Sequence, residues 1–158
     1  IYLVEHGYDK GFVGWLWATG VTCEIGIFFI MPWLMRYFSL KHILIFSFAC
    51  ATLRFLMIGY GVEWPIAIVL AQVLHAATYG AHHIAAMMVI HQFFQGRHQA
   101  KGQAIYTGIA YGLGGALGAV FSGYTWDWLG ADVTFVISAV AAFIGLILIA
   151  WKMKAFNN

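Results

Sequence analysis

Charge is what this 158-residue sequence has least of: Asp, Glu, Lys and Arg make up only 9% of it, against 63% hydrophobic residues. A soluble domain of this size needs far more charge to cover its surface. The scarcity excludes a domain with a large soluble core and points to a chain embedded in a membrane. Cysteine is nearly absent as well. The two thiols, Cys23 and Cys50, fall inside long apolar stretches, which argues against a disulfide framework and says little about redox compartment. No Ser/Pro-rich linker or low-complexity tract divides the chain, so it reads as one domain. No basic n-region followed by a cleavage site opens it, so no signal peptide is visible. The formal net charge of +2 comes from residues flanking the apolar stretches and implies no nucleic-acid partner.

Five apolar stretches are present, each near the roughly 20 residues that cross a bilayer. Spans are expected over about residues 12–34, 43–60, 65–90, 102–124 and 133–151. These are long continuous runs, not the roughly ten-residue alternating segments of a barrel. The fold class is therefore an all-α membrane protein with five transmembrane helices. Pro65 stands where a helix begins, where its missing N–H costs nothing. Ring-bearing residues cluster near span ends: Trp15 and Trp17, Trp33 and Tyr37, Tyr60 and Trp64, Trp126 and Trp128, and Trp151. That is the aromatic belt of the headgroup level. Ile1-Tyr2-Leu3-Val4 resembles the end of an earlier apolar helix, so the chain is expected to be a piece of a longer protein.

The few charges are sorted by loop. Glu5, Asp9, Glu63, Asp127 and Asp132 fall in one set of loops, with only Lys10 among them. Arg36, Lys41, Arg97, Lys101, Lys152 and Lys154 fall in the other set and at the C-terminus, without an acid. By the positive-inside rule the N-terminus is outside and the C-terminus cytoplasmic. An odd number of spans is then required, and five satisfies it.

Glu24 and Arg54 are left over, both inside apolar stretches. Burying them in lipid is costly, so they are functional candidates by default. At the 1.5 Å rise of a helix, Glu24 lies roughly 18 Å below the outer end of its span, Arg54 roughly 10 Å and His75 roughly 16 Å. Three consecutive helices thus bring three polar groups near one level. An ion pair, or a watery cavity facing each group, resolves the cost; the plain alternative is a permanent Glu24–Arg54 pair that fixes helix register. Gln72, His75, Tyr79 and His82 recur at three- and four-residue spacing, which predicts one polar face, with His83 beside it. Such a face lines an interior or a cavity, though each histidine also has a packing reading. The fourth span holds Gly108, Gly112, Gly114, Gly115, Gly118 and Gly123. Its small-xxx-small pairs suit close helix packing or a sliding surface.

A histidine-liganded membrane enzyme or redox subunit is the rival of another class. Adjacent His82 and His83 point about 100° apart on a helix and make poor co-ligands for one metal. No carboxylate or Cys joins them at ligand spacing. No metal, no cofactor and no enzymatic activity are therefore expected. His91 and His98 lie at or beyond the span end and read as solvated. A third class, a structural subunit without a pathway, would tolerate apolar replacement of Glu24 and Arg54 together.

Several stretches together resemble a known family. They are Gly7-Tyr8 followed by Val13-Gly14-Trp15-Leu16-Trp17, Cys23-Glu24, Arg54, Gln72-Val73-Leu74-His75, His83-Ile84-Ala85-Ala86-Met87, and the glycine-rich fourth span. Essentially the whole chain resembles the C-terminal half of a major facilitator superfamily transporter, from the end of the seventh helix through the twelfth. Within that superfamily it is similar to the phenylpropionate permease family. A Glu, an Arg and a His in the eighth, ninth and tenth helices are also similar to the lactose permease-type proton symporters. There such residues bind substrate and couple it to a proton, and Glu24, Arg54 and His75 match them. Those symporters carry a carboxylate one turn after the histidine, where this sequence has Thr78 after His75 or Ala85 after His82. The proton then falls to Glu24 or a histidine. The superfamily's loop signature keeps its basic character in Arg36 and Lys41 but lacks its acid and glycines.

The resemblance implies secondary transport with proton symport of a small organic anion such as an aromatic carboxylate; a proton-coupled sugar or nucleoside permease is the alternative. Arg54, Gln72, His75 and Tyr79 are the candidate substrate-binding residues, and Glu24 and His75 the candidate proton-coupling residues. His82 and His83 are candidate cavity-lining residues. The implied partners are substrate, proton, the lipid bilayer of a bacterial inner membrane, and the missing N-terminal half of the same protein.

Overall fold

The computed structural model describes residues 1–153; Lys154, counted above with the basic residues, lies outside them. Helix α1 (Tyr2–Glu5) is a single turn, followed by α2 (Lys10–Tyr37), the first span, and α3 (Leu40–Tyr60), the second. The third span, Pro65–Phe93, is α4 (Pro65–His75), a π-helical segment (Ala76–Ala81) and α5 (His82–Phe93). The fourth, Gly96–Leu129, is a 3₁₀ turn (Gly96–His98), α6 (Gln99–Tyr106), a second π-helical segment (Thr107–Leu113) and α7 (Gly114–Leu129). Helix α8 (Ala131–Lys152) is the fifth. Among the described residues there is no strand.

Local chemistry sets the boundaries. Asp9 caps α2, its Oδ2 accepting from the Gly11 and Phe12 amides at 2.7 and 3.3 Å. Ser39 caps α3 through the His42 amide at 3.4 Å. Each cap satisfies amides that the first turn of a helix leaves without partners. These caps start both helices earlier than the apolar pattern alone suggests. Gly130, at φ 86°, turns the chain sharply between α7 and α8 in a conformation that disfavours any residue with a Cβ.

The acid-bearing loops gather at one end of the bundle. There the Tyr2 hydroxyl donates to the Gly59 carbonyl and to Asp132 Oδ1, each at 3.2 Å, and Tyr8 donates to the Val62 carbonyl at 2.6 Å. Tyr2, Leu16, Val62 and Ile68 form a small core at that end. The basic loops lie at the other end, where Lys41 Nζ donates to the Ala150 carbonyl at 2.8 Å beside a core of Met31, Leu40, Ile43 and Leu44. Helices α3 and α8 pack along their length, α2 packs on the third span, and the fourth span is at the edge. Gly59 and Gly145 make the α3–α8 contact close, facing Phe135 and Phe48.

The outside of the bundle is apolar: Phe29 is 81% exposed, Ile66 76% and Val120 74%. Lipid is the solvent that such a surface needs, and continuous helices are what lipid permits. Eight of the nine belt aromatics named above, Trp15, Trp17, Trp33, Tyr37, Tyr60, Trp64, Trp128 and Trp151, are exposed. Trp126 is half-buried. It packs edge-on against Tyr2 of α1 at 5.5 Å and against Phe135 of α8 at 5.9 Å. Four glycines of the fourth span, Gly108, Gly115, Gly118 and Gly123, serve no helix contact among the described residues, since a Cβ beside each would meet nothing within 4 Å, whereas Gly102 packs against Phe94.

Candidate functional site

Two glycines bring the first and third spans together around a polar pair. A Cβ on Gly20 would stand 3.3 Å from Gln72 Oε1 and 3.5 Å from His75 Cδ2, and one on Gly80 would stand 2.5 Å from Ile27 Cγ2. In the gap these small residues leave, His75 Nε2 donates to Glu24 Oε1 at 2.7 Å. The side chains are only 29% and 15% exposed. The short distance is that of a charge-assisted hydrogen bond, and it resolves the cost of a carboxylate among apolar helices.

Glu24 therefore meets His75, and Arg54 turns to the backbone. Arg54 Nε donates to the Ala71 carbonyl at 3.1 Å, one turn before His75 on α4. This arrangement departs from the permanent Glu24–Arg54 pair weighed from sequence. Both cation and imidazole line the same cavity of about 500 Å³, with Thr78, Tyr79 and Ser138. That volume lies in the usual range of small-molecule sites. Thr78, at the position where the lactose permease pattern has a carboxylate, donates to the His75 carbonyl at 3.1 Å.

The polar face of the third span differs from the expectation at one point. His75, Tyr79 and His83 form one line, their rings stacked with centroids 5.7 and 6.2 Å apart and planes within 10° and 12°. His82 is turned away toward α3, edge-on to Phe48 at 5.4 Å, and lines a smaller cavity of about 160 Å³ with Ser47, Ala51 and Thr78. The π-helical segment explains the switch. An α-helix gains about 40° beyond a full turn every four residues. The wider turn at Ala76–Ala81 takes up part of that drift, so the residues at steps of four stay in line.

Sequence reasoning missed Tyr111. It lies in the second π-helical segment, and its hydroxyl is 3.1 Å from His83 Nδ1. The available signal was a hydroxyl-bearing ring in the middle of a glycine-rich span. His91 and His98 are exposed at the basic end. A further cavity, of about 360 Å³, lies between Ile27, Leu34, Ile43 and Ala77. Apart from His42 its lining is apolar and offers no convergent chemistry. Among the described residues no three His, Cys, Asp or Glu side chains gather where they could hold a metal.

The chain is 36% identical over 141 residues to a protein of Escherichia coli (strain K12) named "Probable 3-phenylpropionic acid transporter", a match covering 89% of this chain and 37% of that protein. It is 22% identical over 142 residues to the xanthosine permease of the same strain, covering 84% and 34%. The chain thus spans about a third of the length of the curated relatives it matches. No solved structure matches it significantly. The model of the MFS_1 like family matches residues 1–137, and this five-span, all-α chain belongs to that family of major facilitator superfamily transporters.

Proposed function

We propose that the protein containing this chain carries a small organic anion, an aromatic carboxylate above all, together with a proton across a bacterial inner membrane. The N-terminus of the chain faces outside and its C-terminus the cytoplasm. A second, N-terminal half closes the site from the other side, as in transporters built from repeats around a midplane site. The observation that carries this reading is the Glu24–His75 pair at 2.7 Å beside an Arg54 that shares a cavity with His75. Support for the substrate class comes from the relative named as a 3-phenylpropionic acid transporter.

Charge balance gives the coupling. With Arg54 cationic, Glu24 anionic and His75 neutral, the formal charges of the empty site cancel. An anion seated on Arg54 leaves one negative charge in excess, and a proton on the Glu24–His75 pair removes it. A proton alone leaves one positive charge in excess. Uncompensated charge in a low-dielectric interior is expensive. The empty and the doubly loaded sites are thus the two states fit to change conformation, which is what symport requires. Tyr79, which lines the Arg54 cavity, supplies a hydrogen-bonding group near the anion, while Gln72, beside Gly20, lies outside the lining and would act only on a ligand that reaches past it. The similarity to a xanthosine permease favours a nucleoside as the alternative substrate, held by those same groups.

The test uses the full-length protein in proteoliposomes. Glu24→Gln keeps the shape of the carboxyl but cannot gain a proton. It should retain counterflow exchange of 3-phenylpropionate and lose accumulation driven by a pH gradient. Concentrative uptake by Glu24→Gln under that gradient would remove Glu24 from coupling. Exchange of xanthosine but not of 3-phenylpropionate by the unaltered protein would select the alternative substrate.

A further inference from the structure

His75 is the first ring of a series that continues past the Glu24 pair. Its Nε2 is engaged by Glu24, while its Nδ1 is buried with no hydrogen-bond partner among the described residues. Tyr79 stacks on it, His83 stacks on Tyr79, and His83 Nδ1 meets the Tyr111 hydroxyl at 3.1 Å. Tyr106, the last residue of α6, stands edge-on to Tyr111 at 5.8 Å, and α6 leads back to Lys101 and the basic end. Imidazoles and phenols alternate along the series. Neutral imidazole has a donor and an acceptor nitrogen, and a phenol both donates and accepts. Histidine also changes charge near neutral pH.

Simple packing does not account for this arrangement. Tyr79 and Tyr111 face the open side of this chain, where Tyr79 borders the Arg54 cavity. His82, edge-on to Phe48 on the other side of the helix, shows what packing looks like here. Tyr79 lies inside the first π-helical segment and Tyr111 inside the second, with His83 just after the first. Such segments are rare and recur at functional sites. Here the first aligns three rings at steps of four residues, and the second carries their partner.

We propose that Tyr79, His83 and Tyr111 are a proton relay between the Glu24–His75 pair and the basic end of the bundle. It rests on the proton-coupled reading above and adds the route the proton takes. A proton arriving from Tyr79 is accepted by His75 Nδ1, and His75 Nε2 passes its own proton to Glu24 Oε1. One proton enters the ring and one leaves, so His75 ends neutral as the other tautomer and Glu24 ends protonated. The reverse sequence discharges Glu24. With the rings stacked at centroid separations of 5.7 and 6.2 Å, the relay requires a water to bridge each stacked pair and to reach the buried His75 Nδ1 during transfer. The anion stays in the Arg54 cavity, and the proton leaves that cavity at Tyr79. The ionisable groups facing the relay are Glu24 from the first span, Arg54 from the second, and Tyr106 and Tyr111 from the fourth. His82 belongs to the same helix but faces α3.

The test is substrate-driven proton movement, read by a pH-sensitive dye trapped in proteoliposomes of the full-length protein, alongside counterflow exchange of 3-phenylpropionate. Tyr111→Phe keeps the ring and removes the hydroxyl. It should slow proton movement on the order of tenfold or more, as loss of a positioned transfer group does, and leave exchange within about twofold. His83→Ala should slow proton movement as well. Proton movement at the unaltered rate in both variants, with Glu24→Gln inactive in the same assay, would overturn the relay and leave the coupling reading standing. Proton movement retained by Glu24→Gln would defeat the coupling reading, and the relay with it. Equal loss of exchange and proton movement in folded Tyr111→Phe would make Tyr111 a packing residue and also overturn the relay.

Discussion

Replacing Arg54 tests the anion site most directly, because the structure fixes what the guanidinium has left to offer. Its Nε is committed to the Ala71 carbonyl at 3.1 Å, and the side chain borders the 500 Å³ cavity. The guanidinium's remaining N–H groups can take a carboxylate as a planar fork. Arg54→Lys keeps the positive charge but loses the fork and the Ala71 bond. A lost hydrogen bond to a charged group is worth about 1.5–3 kcal/mol, so affinity for 3-phenylpropionate should fall about 10- to 150-fold. Arg54→Ala leaves the buried anion unpaired as well, at about 3–5 kcal/mol, which weakens binding about 150- to 4,000-fold. Equilibrium binding of labelled 3-phenylpropionate to the purified full-length protein measures both, with thermal unfolding as the folding control. Two folded variants that bind as tightly as the unaltered protein would show that the anion is held elsewhere.

Two further predictions concern the frame around the site. Single cysteines beside Asp9 and Glu63, in a background without Cys23 and Cys50, should react with an impermeant maleimide in intact cells. Those beside Lys41 and Arg97 should react only after permeabilisation; the opposite pattern would invert the orientation. Gly80→Ala places a methyl about 2.5 Å from Ile27 Cγ2, so Ile27 must leave its rotamer or the first and third spans must part. Overpacking of this kind costs about 1–3 kcal/mol. The variant should melt at lower temperature and lose gradient-driven accumulation, whereas Gly108→Ala, with open space around it, should do neither. An equal effect of the two substitutions would refute the close approach at Gly80.

The fold was largely legible because lipid imposes a single rule. Backbone groups without water must be satisfied within the segment, so each apolar run of sufficient length becomes a helix. Charge sorting is carried by the same runs, which is why the acid-bearing loops meet at Tyr2, Gly59 and Asp132 and the basic ones around Lys41 and Ala150. What apolar runs do not encode is winding. Neither Ala76–Ala81 nor the glycine-containing Thr107–Leu113 breaks the apolar run that marks a span, yet both wind as π-helix. A single added residue per turn moves every later side chain around the axis. His82 and His83 exchanged roles for that reason. Trp126 differs from the other span-end rings for another reason: its contact with Tyr2 leaves it half-buried.

The site was legible as a set of residues and not as a set of pairs. Glu24, Arg54 and His75 stand out because ionisable groups inside apolar runs need a reason. Depth along each helix brings all three to a similar level, but depth cannot say which two touch. That choice depends on which helices meet closely, and here the small residues decide it. Gly20 and Gly80 let α2 meet the third span near His75, so the carboxylate takes the imidazole as its partner and leaves Arg54 to the Ala71 carbonyl. A cation bound through a neutral carbonyl keeps its full charge available to an incoming anion. A cation locked to Glu24 would have to break that pair first. The glycines therefore reach past helix packing to chemistry, because they decide that the proton-holding pair and the anion-holding cation are separate groups linked only by charge. That separation is what allows the variants of Glu24 and Arg54 to fail in different assays.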